Sequence, residues 1–115
     1  MTVADSQPLA INSVVVDHVG ILHLSGEFDV LGAEDFDQRL QTLGDPTHLR
    51  LNLRDVTFVD SMALRSLVRC HERARAAGGS MIIDQPSEVV LRLLELVGLE
   101  QEFQITGAEL GAELH

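Results

Sequence analysis

The sequence predicts an α/β domain in which a mixed β-sheet of four to five strands, opening with an N-terminal hairpin, packs against three or more α-helices. Three observations carry this expectation. Leu49, Leu51 and Leu53 alternate with Arg50, Asn52 and Arg54, the period-two signature of a half-buried strand. Leu64, Leu67, Val68 and His71 then recur at helical spacing, so the period changes at Asp60-Ser61. The order of strand-like and helix-like segments along the chain implies parallel strands joined by right-handed crossovers. With 115 residues the chain is one domain, because compact domains most often run to about 100–150 residues.

Taken in order, residues 9–16, ending in Val14-Val-Val16, read as a first strand, and Gly20–Ser25 as its hairpin partner across a turn at Asp17, His18 and Val19. Beyond Gly26-Glu-Phe-Asp29, the spacing of Phe36, Leu40 and Leu43 behind Glu34, Asp35 and Asp37 makes a short helix. Acidic residues suit the positive end of its dipole. Gly44-Asp-Pro46 ends it. A strand over 48–54 and a helix over about 61–77 follow, the latter closed by Gly78-Gly79. Ser80–Asp84 is a short apolar strand, and Pro86-Ser87 opens a helix carrying Val90, Leu91, Leu94 and Val97 and stopped by Gly98. Glu102–Thr106 is the last edge strand. The core is expected over about 8–106, with fraying over 1–7 and over 107–115, where Gly-Ala-Glu-Leu occurs twice.

Composition excludes several functions. Net charge is −10, all eight basic residues are arginine, and there is no Trp or Tyr. Direct nucleic-acid binding needs a basic face and, for single strands, aromatic platforms. The acidic balance suits a protein partner with a basic surface. No stretch approaches the roughly 18 apolar residues of a membrane span, and the N-terminus lacks the basic start and apolar run of a signal peptide. Membrane insertion is therefore not expected, and the expected location is cytoplasmic. Cys70, the single cysteine, sits in an apolar helical setting that argues for an inert thiol.

An enzyme is not expected. A nucleophilic serine needs a base within hydrogen-bond reach and an oxyanion hole. His71 lies ten residues along the same helix from Ser61, some 15 Å away at about 1.5 Å per residue. No Gly-x-Ser-x-Gly elbow surrounds Ser61. The other histidines show no metal-ligand spacing, and the absence of lysine removes a P-loop. A small-ligand or nucleotide sensor lacks both a glycine-rich loop and a lysine. Asp60 and Ser61 are good helix N-caps, and they fall where sites lie in such sheets, beyond the carboxyl ends of parallel strands. Arg65, Arg69, Glu72, Arg73 and Arg75 lie off the apolar stripe of the helix, as either a solvated or a binding face. Met62 and Phe58 near the junction are both candidates for apolar contact area, with the core the favoured place for Phe58.

Together these segments resemble a STAS domain of the anti-sigma factor antagonist type. Gly26-Glu-Phe-Asp29 is similar to the family's Gly-Glu-Leu/Phe-Asp, and Leu51-Asn-Leu-Arg-Asp-Val-Thr-Phe-Val-Asp-Ser61 to its central strand and phosphorylation loop. Ala77-Gly-Gly before a short strand and Leu94-Glu-Leu-Val-Gly-Leu99 complete the likeness, which spans about residues 8–106.

The resemblance implies a partner switch. Unphosphorylated, such a protein binds an anti-sigma factor with serine-kinase activity and frees a sigma factor. Phosphorylation, here at Ser61 by position, breaks the complex, and a PP2C-type phosphatase resets it. No cofactor is expected on this chain, since ATP and magnesium belong to the kinase. The implied site is Ser61 with Asp60, Met62, Ala63, Leu64, Arg65 and Arg69, and with Glu27 and Asp29 as a second loop. Asp60 either orients the serine hydroxyl or caps the helix. The chain departs from the usual Asp-Ser-Ser/Thr-Gly-Leu at Met62 and Ala63. Alanine in place of glycine favours the first helical turn by about 0.8–1 kcal/mol and sets a methyl where a kinase approaches. The alternative is a non-phosphorylated STAS scaffold of a stress-signalling complex or lipid transporter. A monomer or weak dimer is expected.

Overall fold

Two left-handed residues make the first turn. Asp17 (φ 52°) and His18 (φ 68°) link β1 (Ala10–Val16) to β2 (Val19–Phe28), and two consecutive positive φ angles are what a two-residue hairpin needs to match strand twist. Asp and His are among the side chains that tolerate this region. Val19, expected in the turn, instead pairs with Val16 and begins β2. The chain is described by a computed structural model over residues 7–108. The fraying and the paired Gly-Ala-Glu-Leu motif expected at the ends fall largely outside that range. Gln7 is not loose: its carbonyl accepts the Glu27 amide at 2.9 Å, and Pro8 bridges to Glu27.

The expected α/β architecture is present. After the hairpin come α1 (Val30–Thr42), β3 (His48–Val59), α2 (Ser61–Ala76), β4 (Ser80–Asp84), α3 (Glu88–Leu96) and β5 (Gln104–Thr106). The sheet order is β1-β2-β3-β4-β5, with β1 antiparallel to β2 and the remaining neighbours parallel. The buried side of the sheet carries Leu22, Leu24 and Phe28 of β2, Leu49, Leu51 and Leu53 of β3, and Met81 and Ile83 of β4. Phe36 and Leu40 of α1, Leu67 of α2, and Val90 and Leu94 of α3 close over it in one cluster. Phe28 and Phe36 meet edge to face at 5.5 Å. The other side presents Ile21, His23, Arg50, Asn52 and Asp84 at positions that stay partly or fully exposed, with ion pairs His23–Asp55 at 2.7 Å and Arg50–Asp84 at 3.6 Å.

β3 is longer than its alternation predicts. Its pairing with β2 shifts register twice, between His23 and Ser25 and between Gly26 and Glu27. Each shift inserts one extra residue into β3, as a bulge does. The period-two rule therefore fails past Leu53: Val56 turns inward while Thr57 and Phe58 face solvent. Phe58 is a correction, 48% exposed instead of core. At the other end, α3 stops at Gly98 as expected, where the Gly98 amide meets Glu95 O at 3.1 Å and the Leu99 amide meets Leu94 O at 2.8 Å.

Candidate functional site

β2 and β3 run parallel and finish side by side, with Phe28 paired to Val59 and the Asp60 amide donating to Phe28 O at 3.3 Å. Each strand passes directly into a helix through an aspartate in extended conformation. Asp29 Oδ1 accepts the Gly32 amide at 2.9 Å. Asp60 Oδ1 accepts both the Met62 and Ala63 amides at 3.0 Å. Two helix N-termini, each capped by a carboxylate, thus open at one end of the sheet. Capping is the role of Asp60 that the geometry shows, because that oxygen is taken up by the first turn of α2.

Ser61 is the first residue of α2 and is exposed. The helix places Ala63, Ser66, Leu67, Cys70 and Ala74 inward, and leaves Ser61, Met62, Arg65, Arg69 and Glu72 outward. Ala63 is fully buried in the core cluster and Leu64 is half-buried against it. The Ala63 methyl is therefore packed in the core and not presented on the surface. Glu27 is half-buried at the end of β2, with its amide fixed by Gln7.

The surround is more apolar than the motif suggests. Phe58 and Met62 are exposed beside Ser61, and Val30 and Leu31 are exposed on the neighbouring helix start, Leu31 by 67%. Sequence reasoning missed Val30 and Leu31. Their signal was a pair of apolar residues directly after the Asp29 cap, outside the buried stripe of Phe36 and Leu40.

The arginines divide. Arg69 Nη2 bonds Asp37 Oδ2 of α1 at 2.9 Å and the buried Ser66 hydroxyl at 3.2 Å, and the Ser66 hydroxyl lies 3.4 Å from the same carboxylate. Arg73 pairs with Asp45 at 3.5 Å. These two tie α2 to α1 and its following loop, and only Arg65 projects near Ser61 without such an ion pair among the described residues. His71 stacks on Phe103 with centroids 5.0 Å apart, and both its ring nitrogens are buried without a partner. It is turned into the α2–β5 seam, away from the serine. Among the described residues no cluster of His, Cys, Asp or Glu is arranged to hold a metal, and no helix is long and apolar enough to cross a membrane. Burial pushes the Cys70 thiol up to about 12, so it stays protonated and unreactive at neutral pH.

Residues 10–112 match the family model of the STAS domain. The chain is also 30% identical over 91 residues to the anti-sigma-B factor antagonist of Bacillus subtilis (strain 168), an alignment spanning 78% of this chain and 84% of that protein. The chain belongs to the STAS family of anti-sigma factor antagonists. Solved structures share its fold. An anti-sigma factor antagonist from Mycobacterium paratuberculosis superposes with a TM-score of 0.76 at 24% identity, over 90% of this chain and 91% of that one. A Bacillus cell fate determinant in its phosphorylated form gives 0.69 at 21% identity, over 90% and 96%. Within this STAS domain, the strand-to-helix junction at Asp60-Ser61 lies where the paired strands β2 and β3 end, with Ser61 exposed to solvent.

The cap makes a testable contribution. Asp60→Ala removes the acceptor for two amides and is expected to lower stability by about 1 kcal/mol, within the usual 0.5–2 kcal/mol for a lost N-cap. Asp60→Asn keeps an acceptor oxygen and should stay within a few tenths of native. Urea unfolding of the two variants checks the ranking, and equal losses would remove the capping account.

Proposed function

We propose that this STAS domain is an anti-sigma factor antagonist switched by phosphorylation of Ser61. Unphosphorylated, it binds an anti-sigma factor that is also a serine kinase, and so frees a sigma factor. Phosphate on Ser61 dissolves that complex, and a PP2C-type phosphatase restores it. The observation that carries the reading is the exposed Ser61 hydroxyl at the start of α2, at the end of the sheet where Leu31, Phe58 and Met62 are left exposed among the described residues. A hydroxyl so placed, with no base beside it, suits a substrate of another protein's active site and not a nucleophile of its own. These apolar side chains supply the contact area that holds the kinase, and the exposed Arg65 of α2 adds charge. ATP and magnesium enter with the kinase.

The relatives support this reading at the level of their names: one is an antagonist of an anti-sigma factor, and another of the same fold exists in a phosphorylated form. The deciding experiment incubates the purified chain with each candidate kinase, ATP and magnesium, and reads intact mass. One added phosphate, mapped to Ser61 and lost in Ser61→Ala, is the expected result. No phosphate from any candidate, or a phosphate that persists in Ser61→Ala, would replace the switch with a non-phosphorylated scaffold.

A further inference from the structure

The last two turns of α2 border a half-open pocket at the end of the domain opposite Ser61. Its volume is about 190 Å³, and it lies between α2, the end of α1, the Asp45–Thr47 loop and the first residues of β3. The walls are Leu40, Leu49, Cys70 and Ala74, all buried. The space exists because small side chains stand there, Ala74 of α2 and Ala77 just after it, beside two leucines. Ser61 and Ala74 are thirteen positions apart, about 20 Å along the helix axis at about 1.5 Å per residue.

Size and chemistry define what would fit. A sealed cavity of roughly 150 Å³ lined by aliphatic side chains accepts benzene, so by volume a pocket of about 190 Å³ that opens to solvent on one side has room for a slightly larger ring system against its apolar floor. The one thiol on the wall is neutral, since burial raises it to about 12. At the mouth Arg73 and Asp45 form an ion pair at 3.5 Å with both side chains about half exposed, so the entrance carries no net charge. Asp45 is held in its left-handed turn by a bond from its amide to Leu40 O at 2.8 Å, and the mouth is thereby braced on α1.

We propose that this cavity binds a small, neutral, apolar molecule of one or two rings. An ionised ligand would leave its charge against Leu40, Leu49 and Ala74 without a partner, so neutrality is part of the assignment. The site is independent of the reading of Ser61.

The test uses the full native chain with benzene and indole as probes, followed by methyl NMR and by thermal unfolding. Both probes are expected to shift the Leu40 and Leu49 methyl signals saturably and to raise Tm, while an ionised analogue, indole carboxylate, binds about tenfold more weakly or not at all. Ala74→Leu fills the space and is expected to weaken indole by about tenfold or more, by the same logic that makes the empty volume the binding determinant. Ala77→Leu, at the exposed rim, gives the same readout should the inner substitution fail to fold. The proposal is overturned if native protein shows no saturable shift up to the solubility of either probe. It is equally overturned if indole binds a folded cavity-filled variant as tightly as native, or if the charged analogue binds as well as indole.

Discussion

Ser61→Asp is expected to fold with native stability yet bind the anti-sigma factor about tenfold more weakly than the native chain, a difference of about 1.4 kcal/mol, whereas Ser61→Ala binds at native strength. Stability is spared because position 61 opens α2, and a negative charge near a helix N-terminus is favourable by about 0.3–1 kcal/mol. The Asp60 cap bonds at 3.0 Å also remain, since they use amides of Met62 and Ala63 and not the residue 61 side chain. Binding is lost for a different reason. The charge lies at the end of the sheet where Leu31, Phe58 and Met62 are also exposed, and closing a partner over it would strip it of water, a cost that one exposed Arg65 a helical turn away offsets only in part. Asp60 next to it adds repulsion. A true phosphate carries about 1.5–2 negative charges, so its effect exceeds that of aspartate. Calorimetric titration against the anti-sigma factor and urea unfolding of the three proteins separate the effects. A folded Ser61→Asp that binds as tightly as native would sink the charge-exclusion mechanism.

How much of this was legible in the sequence depended on how local the cause was. The change from period two to helical spacing at Asp60-Ser61 is a local signal, and the structure places a strand end and a capped helix start there. The second half of β3 was hidden because two bulges break the alternation, and the same break put Phe58 on the surface when a simple reading placed it in the core. Arg69 and Arg73 looked like part of one charged face. Their partners, Asp37 and Asp45, come from segments about thirty positions earlier, and only the packing of α1 against α2 reveals them. Leu31 reads as an ordinary helix residue until the β2–β3 pairing brings the two helix starts to one end. The cavity was invisible for the same reason, since small residues on α2 mean nothing until Leu40 and Leu49 are set opposite them.

The largest stability effect is expected at Gly79. Two glycines end α2, and they are there for different physical reasons. Gly78 has φ +81° with open space around it, so Gly78→Ala costs only the left-handed backbone penalty, about 1–2 kcal/mol. Gly79 has ordinary φ but lies on the backbone of Thr47: an added methyl would overlap the Thr47 carbonyl and come within 2.8 Å of Thr47 Cβ. That segment has no freedom to retreat. The Ser80 amide donates to the same Thr47 carbonyl at 2.9 Å, the Gly79 amide donates to Ala74 O at 2.8 Å, and His48 pairs with Ser80 as the first rung between β3 and β4. Relief requires opening that rung and shifting the start of β4, which also displaces Met81 from the core. Overpacking strain and a lost buried hydrogen bond together give about 3 kcal/mol or more, a large share of a total of about 5–15 kcal/mol. Urea midpoints should therefore order native, Gly78→Ala, Gly79→Ala from most to least stable. If Gly79→Ala proved the milder of the two, the close approach to Thr47 would not be what requires glycine there.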